Sequence, residues 1–193
     1  MHDVPARTQQ HWIYVLGGEG LREKARKWEK RKTEQGKNYV VIEGAPVGSH
    51  EQRLARVGDD DVLYVFADAV QRGSLGEWGI RPEALARHLL AEGLNGGHRS
   101  LKIFASRSGD CLGSQSFAEQ VYEAMHPAYP QLVVHGYLGH VDAEGFDGHK
   151  TAGLGEGETL KELSREQWFE KRARAQENRV QFPPEPEVTQ NPR

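Results

Sequence analysis

Apolar positions along the chain fall into short runs that alternate with stretches of helical spacing. Trp12 to Leu16 is a run of aromatic and β-branched residues halted by Gly17 and Gly18, the pattern of a buried strand. Leu21, Ala25 and Trp28 then recur at helical spacing through a heavily charged stretch closed by Gly36, which predicts a one-faced surface helix. Tyr39 to Ile42 reads as a second strand, Gly44 to Ser49 as turns, Leu54 and Val57 as a short helical piece, and Val62 to Phe66 as a third strand. Pro82 suits the first position of a helix that carries Leu85, Leu89 and Leu90 on one face and ends before Gly93. Leu101 to Phe104 is the fourth strand. Ser116 and Glu119 have the spacing of a capping box ahead of a helix with Phe117, Val121 and Met125 on one face, and Leu132 to Val134 is the fifth strand.

Beyond Val141 the pattern weakens. Asp142 to Gly157 is rich in Gly and polar residues and reads as an exposed connection or flap. From about Thr159 to Val180 helical spacing returns, with Leu160, Leu163, Trp168 and Phe169 as contact residues, Ser164 to Gln167 as an internal capping option, and a charged later half from Glu170 to Arg179. The stretch from Phe182 to Pro186 holds three prolines, cannot continue a helix, and is expected to be extended or disordered. No internal repeat is found.

Strands that alternate with single helices imply right-handed crossovers and a largely parallel sheet covered on both faces, an α/β fold. The expected organisation is one α/β domain over residues 1–150, a connector and C-terminal helix over 151–180, and a Pro-rich tail over 181–193. The 193 residues are enough for one good core. With 25 basic against 28 acidic residues and a net charge of −3, the chain lacks the basic excess that drives binding to nucleic-acid backbones, so no nucleic-acid partner is expected. No run approaches the roughly 18 apolar residues of a membrane span, and the first ten residues lack the apolar centre of a secretory signal. The expectation is a chain with no membrane partner, cytoplasmic or secreted by a route without a cleavable signal. Cys111 is the single cysteine, which excludes an internal disulfide and a cysteine-rich zinc site.

The stretch from Asp61 to Val141 carries the candidate chemistry. The strand from Asp61 ends at Ala67, Asp68 and Ala69, and the strand from Leu101 ends at Ser106, Arg107, Ser108 and Gly109. Between them lies the helix start Ile80 to Ala86, and after them the helix start Ser114 to Gln120. This order resembles the caspase-like cysteine peptidases, especially the self-cleaving peptidase domains of large bacterial toxins and their bacterial relatives. In such proteins the first strand ends in Gly-His-Gly and the second in Cys-x-Ser-Gly. The resemblance implies a caspase-like three-layer sandwich, and it implies that Asp68 stands where the histidine belongs and Ser106 where the cysteine belongs. Asp68 cannot replace an imidazole as a base at neutral pH without a strongly raised pKa, and a serine hydroxyl needs a base more than a thiol does. Ser106 with Asp68 is therefore a poor dyad.

Ligands of open parallel sheets bind beyond the carboxyl ends of the strands, so Asp68, the Ser106 to Gly109 loop and the loop after Val134 should border one crevice. Cys111, five residues beyond Ser106, is a displaced nucleophile candidate with His135 or His140 as its base, against the plainer role of a small packing residue. Trp78, in a Gly-flanked loop, is placed either to recognise a partner or to cover the core edge, and Arg107, Ser108 and Gly109 line the crevice with it. His135, His140, Asp142 and His149 match no strong metal pattern, so no metal is expected, and no cofactor. Gly17, Gly18 and Gly20 before a helix, with Glu43 ending the second strand, invite a dinucleotide reading, but Glu23 takes the place of the third glycine. The basic residues from Arg22 to Lys37 would suit the inositol phosphate that activates the toxin domains, yet Glu19, Glu23, Glu29 and Glu34 are interleaved with them as local ion-pair partners, so a solvated face is expected. The function expected is a catalytically degenerate peptidase homologue that binds a protein or peptide, as part of a bacterial effector. The competing readings are an active cysteine peptidase using Cys111 and a nucleotide- or anion-binding domain.

Overall fold

The computed structural model describes residues 8–111, 113–142, 150–152, 172–174 and 178–185. In chain order the elements are β1 (His11–Val15), α1 (Glu19–Glu34), β2 (Tyr39–Glu43), β3 (Val62–Gln71), β4 (Ser74–Leu75), α2 (Pro82–Ala91), β5 (Ser100–Ser106), α3 (Phe117–Met125), β6 (Val133–Tyr137), β7 (His140–Asp142), β8 (Lys150–Ala152), β9 (Arg172–Arg174) and β10 (Arg179–Phe182). The main sheet runs β10-β6-β5-β3-β1-β2, with β4 paired to the end of β3. Pairings from β2 through β6 are parallel, and β10 joins β6 antiparallel. The fold is α/β, with the mostly parallel sheet at its centre.

Alternation along the strands divides the core in two. Ile13, Val15, Tyr64, Phe66 and Phe104 face α1, where Trp28 is fully buried with its ring centroid 4.8 Å from Phe104 and 5.1 Å from Tyr64. Tyr14, Leu63, Val65, Leu101 and Ile103 face the other way, against Leu85 and Leu89 of α2 and Phe117, Val121 and Met125 of α3. One helix on one face and two on the other make three layers. The placement follows from crossover handedness: β1 to β2 moves one way along the sheet and β3 to β6 the other, so right-handed connections lie on opposite faces.

Local signals at helix starts hold. Pro82 lies in the first turn of α2, and the capping box of α3 is formed, with Ser116 Oγ accepting from the Glu119 amide at 3.1 Å. Such a cap contributes about 1 kcal/mol. Other expectations are corrected. Leu54 and Val57 are buried but sit in turns rather than a helix, and Leu90 is 54% exposed. The connection expected from Asp142 onward contains strand β8, which pairs antiparallel with both β7 and β9.

The C-terminal helix expected to Val180 is contradicted at both places where its later half is described: Arg172–Arg174 is β9 and Arg179–Phe182 is β10. A charged stretch with no apolar stripe has nothing to hold it as a helix, whereas alternation of Val180 and Phe182 suits an edge strand. Gln181 and Phe182 thus belong to the sheet and not to a disordered tail. Leu160, Leu163, Trp168, Phe169 and the 164–167 capping option lie outside the described residues, as do His149 and residues 186–193.

Candidate functional site at the strand ends

β3 and β5 run in register to the pair Phe66 and Phe104, and the next paired residues are Ala69 and Ser106. β3 therefore carries one extra residue at Ala67 and Asp68, a bulge of the kind that re-aims a side chain. The consequence is that Asp68 is exposed while Ser106, on the neighbouring strand at the same end of the sheet, is 5% exposed. The two motif positions share one rim.

Past Lys102 and His135 the strands β5 and β6 stop pairing, and the loop after Ser106 fills the gap between them. Ser108 is the splice. Its hydroxyl donates to the Ile103 carbonyl at 2.7 Å and accepts from the Tyr137 amide at 2.9 Å, joining the parted strands from a fully buried position. Gly109 packs on Gly136, and a Cβ on Gly109 would meet Val180 Cγ2 at 2.6 Å and the Tyr137 amide nitrogen at 3.0 Å. These two residues serve as structure here, a role that the sequence pattern does not distinguish from crevice lining.

Every amide in this loop is engaged. Arg107 donates to the Gly139 carbonyl, Ser108 to Ala105, Gly109 to Tyr137 and Asp110 to Arg107. Arg107 itself adopts φ +65°, a left-handed conformation sparsely used by residues other than glycine. Asp110 pins the turn from below, accepting from Arg107 Nε at 3.1 Å and from the Gly139 amide at 3.0 Å. The Ser106 hydroxyl accepts from the Val141 amide of β7 at 3.0 Å.

Of the histidines proposed as a base, one is near this rim. His140 opens β7 and is held below its usual pKa by burial and then by the Arg107 charge, with Asp110 acting in the opposite sense. His135 pairs with Lys102, four residues before Ser106 on β5, which puts it about 13 Å away along the strand. It is a sheet-face residue and not a partner for Cys111, because β6 enters the sheet at this level and reaches the rim only after Tyr137. Cys111 is exposed and forms an isolated bridge with Ser116 ahead of α3. Among the described residues no group of three or more His, Cys, Asp or Glu is placed to hold a metal.

The β3-β4 hairpin was not foreseen. Arg72 and Gly73, with φ +50° and +72°, turn the chain back in a tight two-residue connection. The segment that follows folds over the ends of β1 and β3: the Gly76 amide donates to Ala69, and Leu75 exchanges backbone bonds with Ile80. This covers the point where strand order reverses, which is where an open sheet offers a nucleotide site. Glu77 lies against the start of α1, its Oε1 3.1 Å from where a Cβ on Gly18 would stand. A carboxylate already occupies the neighbourhood of the helix N-terminus. Glu43, the expected ribose residue, instead forms ion pairs with Arg22 and Arg26 of α1, which makes that helix face locally neutralised. Trp78 is 38% exposed on the same hairpin.

The geometry defines a three-layer α/β domain whose strand-end rim is built from a bulged strand, a spliced loop and a covering hairpin. No family model matches the chain, and no curated protein matches it. No helix among the described residues is long and apolar enough to cross a membrane.

Proposed function

We propose that the chain is a non-cleaving peptide-binding module, a degenerate relative of caspase-type peptidases whose rim holds a segment of a protein partner. The observation that carries this reading is the full engagement of the loop from Arg107 to Asp110. Acyl transfer requires an activated nucleophile, a base within hydrogen-bond reach and free donors aimed at the developing oxyanion. At this rim the Ser106 hydroxyl accepts an amide, the four loop amides have carbonyl partners, and Asp68 is an exposed carboxylate on a bulge. What remains available to a ligand is the half-exposed Trp78 ring, the Asp68 carboxylate and the outer face of Arg107. An indole is a strong anchor for a bound chain because it is rigid and large. The place in a bacterial effector rests on the motif resemblance.

A binding screen against a peptide array, followed by titration, tests the reading. Trp78→Ala is expected to weaken a selected peptide about tenfold, which corresponds to roughly 1.4 kcal/mol. Indifference to both Trp78→Ala and Asp68→Asn removes the rim as the binding site. The competing peptidase reading is favoured by the exposure of Cys111 beside a loop that also meets His140. It requires rapid labelling of Cys111 by a thiol probe and cleavage that is lost in Cys111→Ala.

A further inference from the structure

Among the described residues β2 is the last strand on its side of the main sheet. Its inner edge is taken up by β1: the His11 amide donates to the Asn38 carbonyl, and the Gly44 amide to the Val15 carbonyl. Successive residues of a strand turn their polar groups to opposite edges, so Tyr39, Val41 and Glu43 aim their N–H and C=O groups outward. Such an edge is a template for another chain, and the aromatic and β-branched run from Tyr39 to Ile42 favours pairing.

Two side chains reach this edge from opposite layers. From α1, Glu29 Oε1 accepts from the Val41 amide at 2.9 Å. From the other face, Arg53 Nη1 donates to the Glu43 carbonyl. The polarity is matched, with a carboxylate on the N–H and a guanidinium on the C=O. Both side chains are held from below. Glu29 is half-buried and follows the fully buried Trp28. Arg53 precedes the buried Leu54, its Nε donates to Glu51 at 2.9 Å, and the amides of Glu51 and Arg53 both donate to the carboxylate of the fully buried Glu92.

We propose that the outer edge of β2 is a pairing surface for a second copy of this chain, and that Glu29 and Arg53 hold it shut. The edge is complementary to itself. An antiparallel pairing centred on Val41 sets Val41 against its own copy, Tyr39 against Glu43 and Val40 against Ile42, and a two-fold axis closes the pair. Val40 and Ile42 belong to the core layer of α2 and α3, so apolar side chains meet on that face. A cavity of about 410 Å3 flanks the edge, lined in part by Val41, Ile42, Ala55 and Arg56, and gives the added strand's side chains room to pack. Every outward pair in this arrangement uses a group that is already engaged: the Val41 N–H in the central pair and the Glu43 C=O in the two outer ones. A second copy must displace both side chains. This edge is separate from the strand-end rim, and its behaviour does not depend on peptide binding there.

The test is sedimentation velocity of the full chain over a concentration series, with circular dichroism to establish that each variant is folded. The wild type is expected to be monomeric, Glu29→Ala to self-associate about tenfold more tightly, and Glu29→Ala combined with Arg53→Ala more tightly still, with a discrete dimer as the end point. Glu29→Gln, whose amide oxygen still accepts from Val41, is expected to remain monomeric. Val41→Pro removes the outward N–H and is expected to return the double variant to monomer. The proposal is overturned if folded Glu29→Ala associates no more tightly than the wild type, if Glu29→Gln associates as tightly as Glu29→Ala, or if the dimer persists with Val41→Pro. Should the double variant lose its fold, the comparison of wild type, Glu29→Ala and Glu29→Gln decides the matter by itself.

Discussion

Two places on β5, four residues apart, treat their polar groups in opposite ways. At Ser106 and beyond, hydroxyls and amides are matched by nearby donors and acceptors, down to Ser108 bridging two strands. At Lys102, beside His135 of β6 and near Arg179 of β10, cationic groups gather at an unpartnered imidazole nitrogen and find no acid among the described residues. The motif-bearing loop looks chemical in sequence and is structural in three dimensions. The row in the middle of an apolar strand looks incidental in sequence, and its charges are not neutralised among the described residues. A polar group that the fold satisfies holds the fold; one that it leaves unsatisfied costs stability.

Breaking the satisfied side should have the largest effect. Ser108→Ala leaves the Ile103 carbonyl and Tyr137 amide unpaired in the core and is expected to destabilise by about 2–4 kcal/mol, measured by urea unfolding. Gly109→Ala drives a methyl into Val180 and the β6 backbone and is expected to cost about 1–3 kcal/mol in the same assay. On the unsatisfied side the sign reverses. Lys102→Met removes a buried cation from beside Arg179 and is expected to stabilise by about 1–2 kcal/mol at neutral pH in chloride buffer.

The pH dependence sharpens the contrast. Because Lys102 is depressed to about 8, the unfolded chain holds its proton more tightly than the native one between pH 8 and 10.5. Its share of stability therefore rises with pH across that window, and the gap between wild type and Lys102→Met should narrow. The tyrosines Tyr14 and Tyr129, pushed up to about 12 by burial, act oppositely in both proteins and cancel in the comparison. On the acid side His11, His88, His98, His135 and His140 are all lowered, chiefly by burial. The unfolded chain binds more protons from pH 6.5 downward, so stability falls as pH drops toward 4, with a shallower fall expected in His135→Gln. The smallest effect is at the motif position itself: Ser106→Ala frees one half-buried amide and is expected to cost no more than about 1 kcal/mol.

The α/β architecture was legible because apolar runs and helical spacing alternate without interruption from Trp12 to Val134, and because Pro82 and Ser116 mark helix starts with local chemistry. The shared rim of Asp68 and Ser106 was legible for the same reason, since parallel strands deliver their ends to one side. The hairpin at Arg72 and Gly73 was missed because a left-handed arginine carries no residue-type signal. The bridging role of Ser108 was not legible because its two partners, Ile103 and Tyr137, meet only where β5 and β6 part. Of the helix expected from about 159 to 180, residues 172–174 and 179–180 lie in strands, because helical spacing of charges without an apolar stripe predicts little, and β10 pairs with β6 instead. The signal for the cationic row was present: Lys102 and His135 each break an apolar strand run, and only the register places them side by side.

The central claim is that the strand-end rim holds a peptide without cutting it, and mass spectrometry of a complex peptide mixture incubated with the full chain tests this most directly. The account predicts peptides retained intact on the wild-type protein and released by Trp78→Ala, with no new termini over a long incubation. Reproducible cleavage at a defined residue that disappears in Cys111→Ala would contradict it.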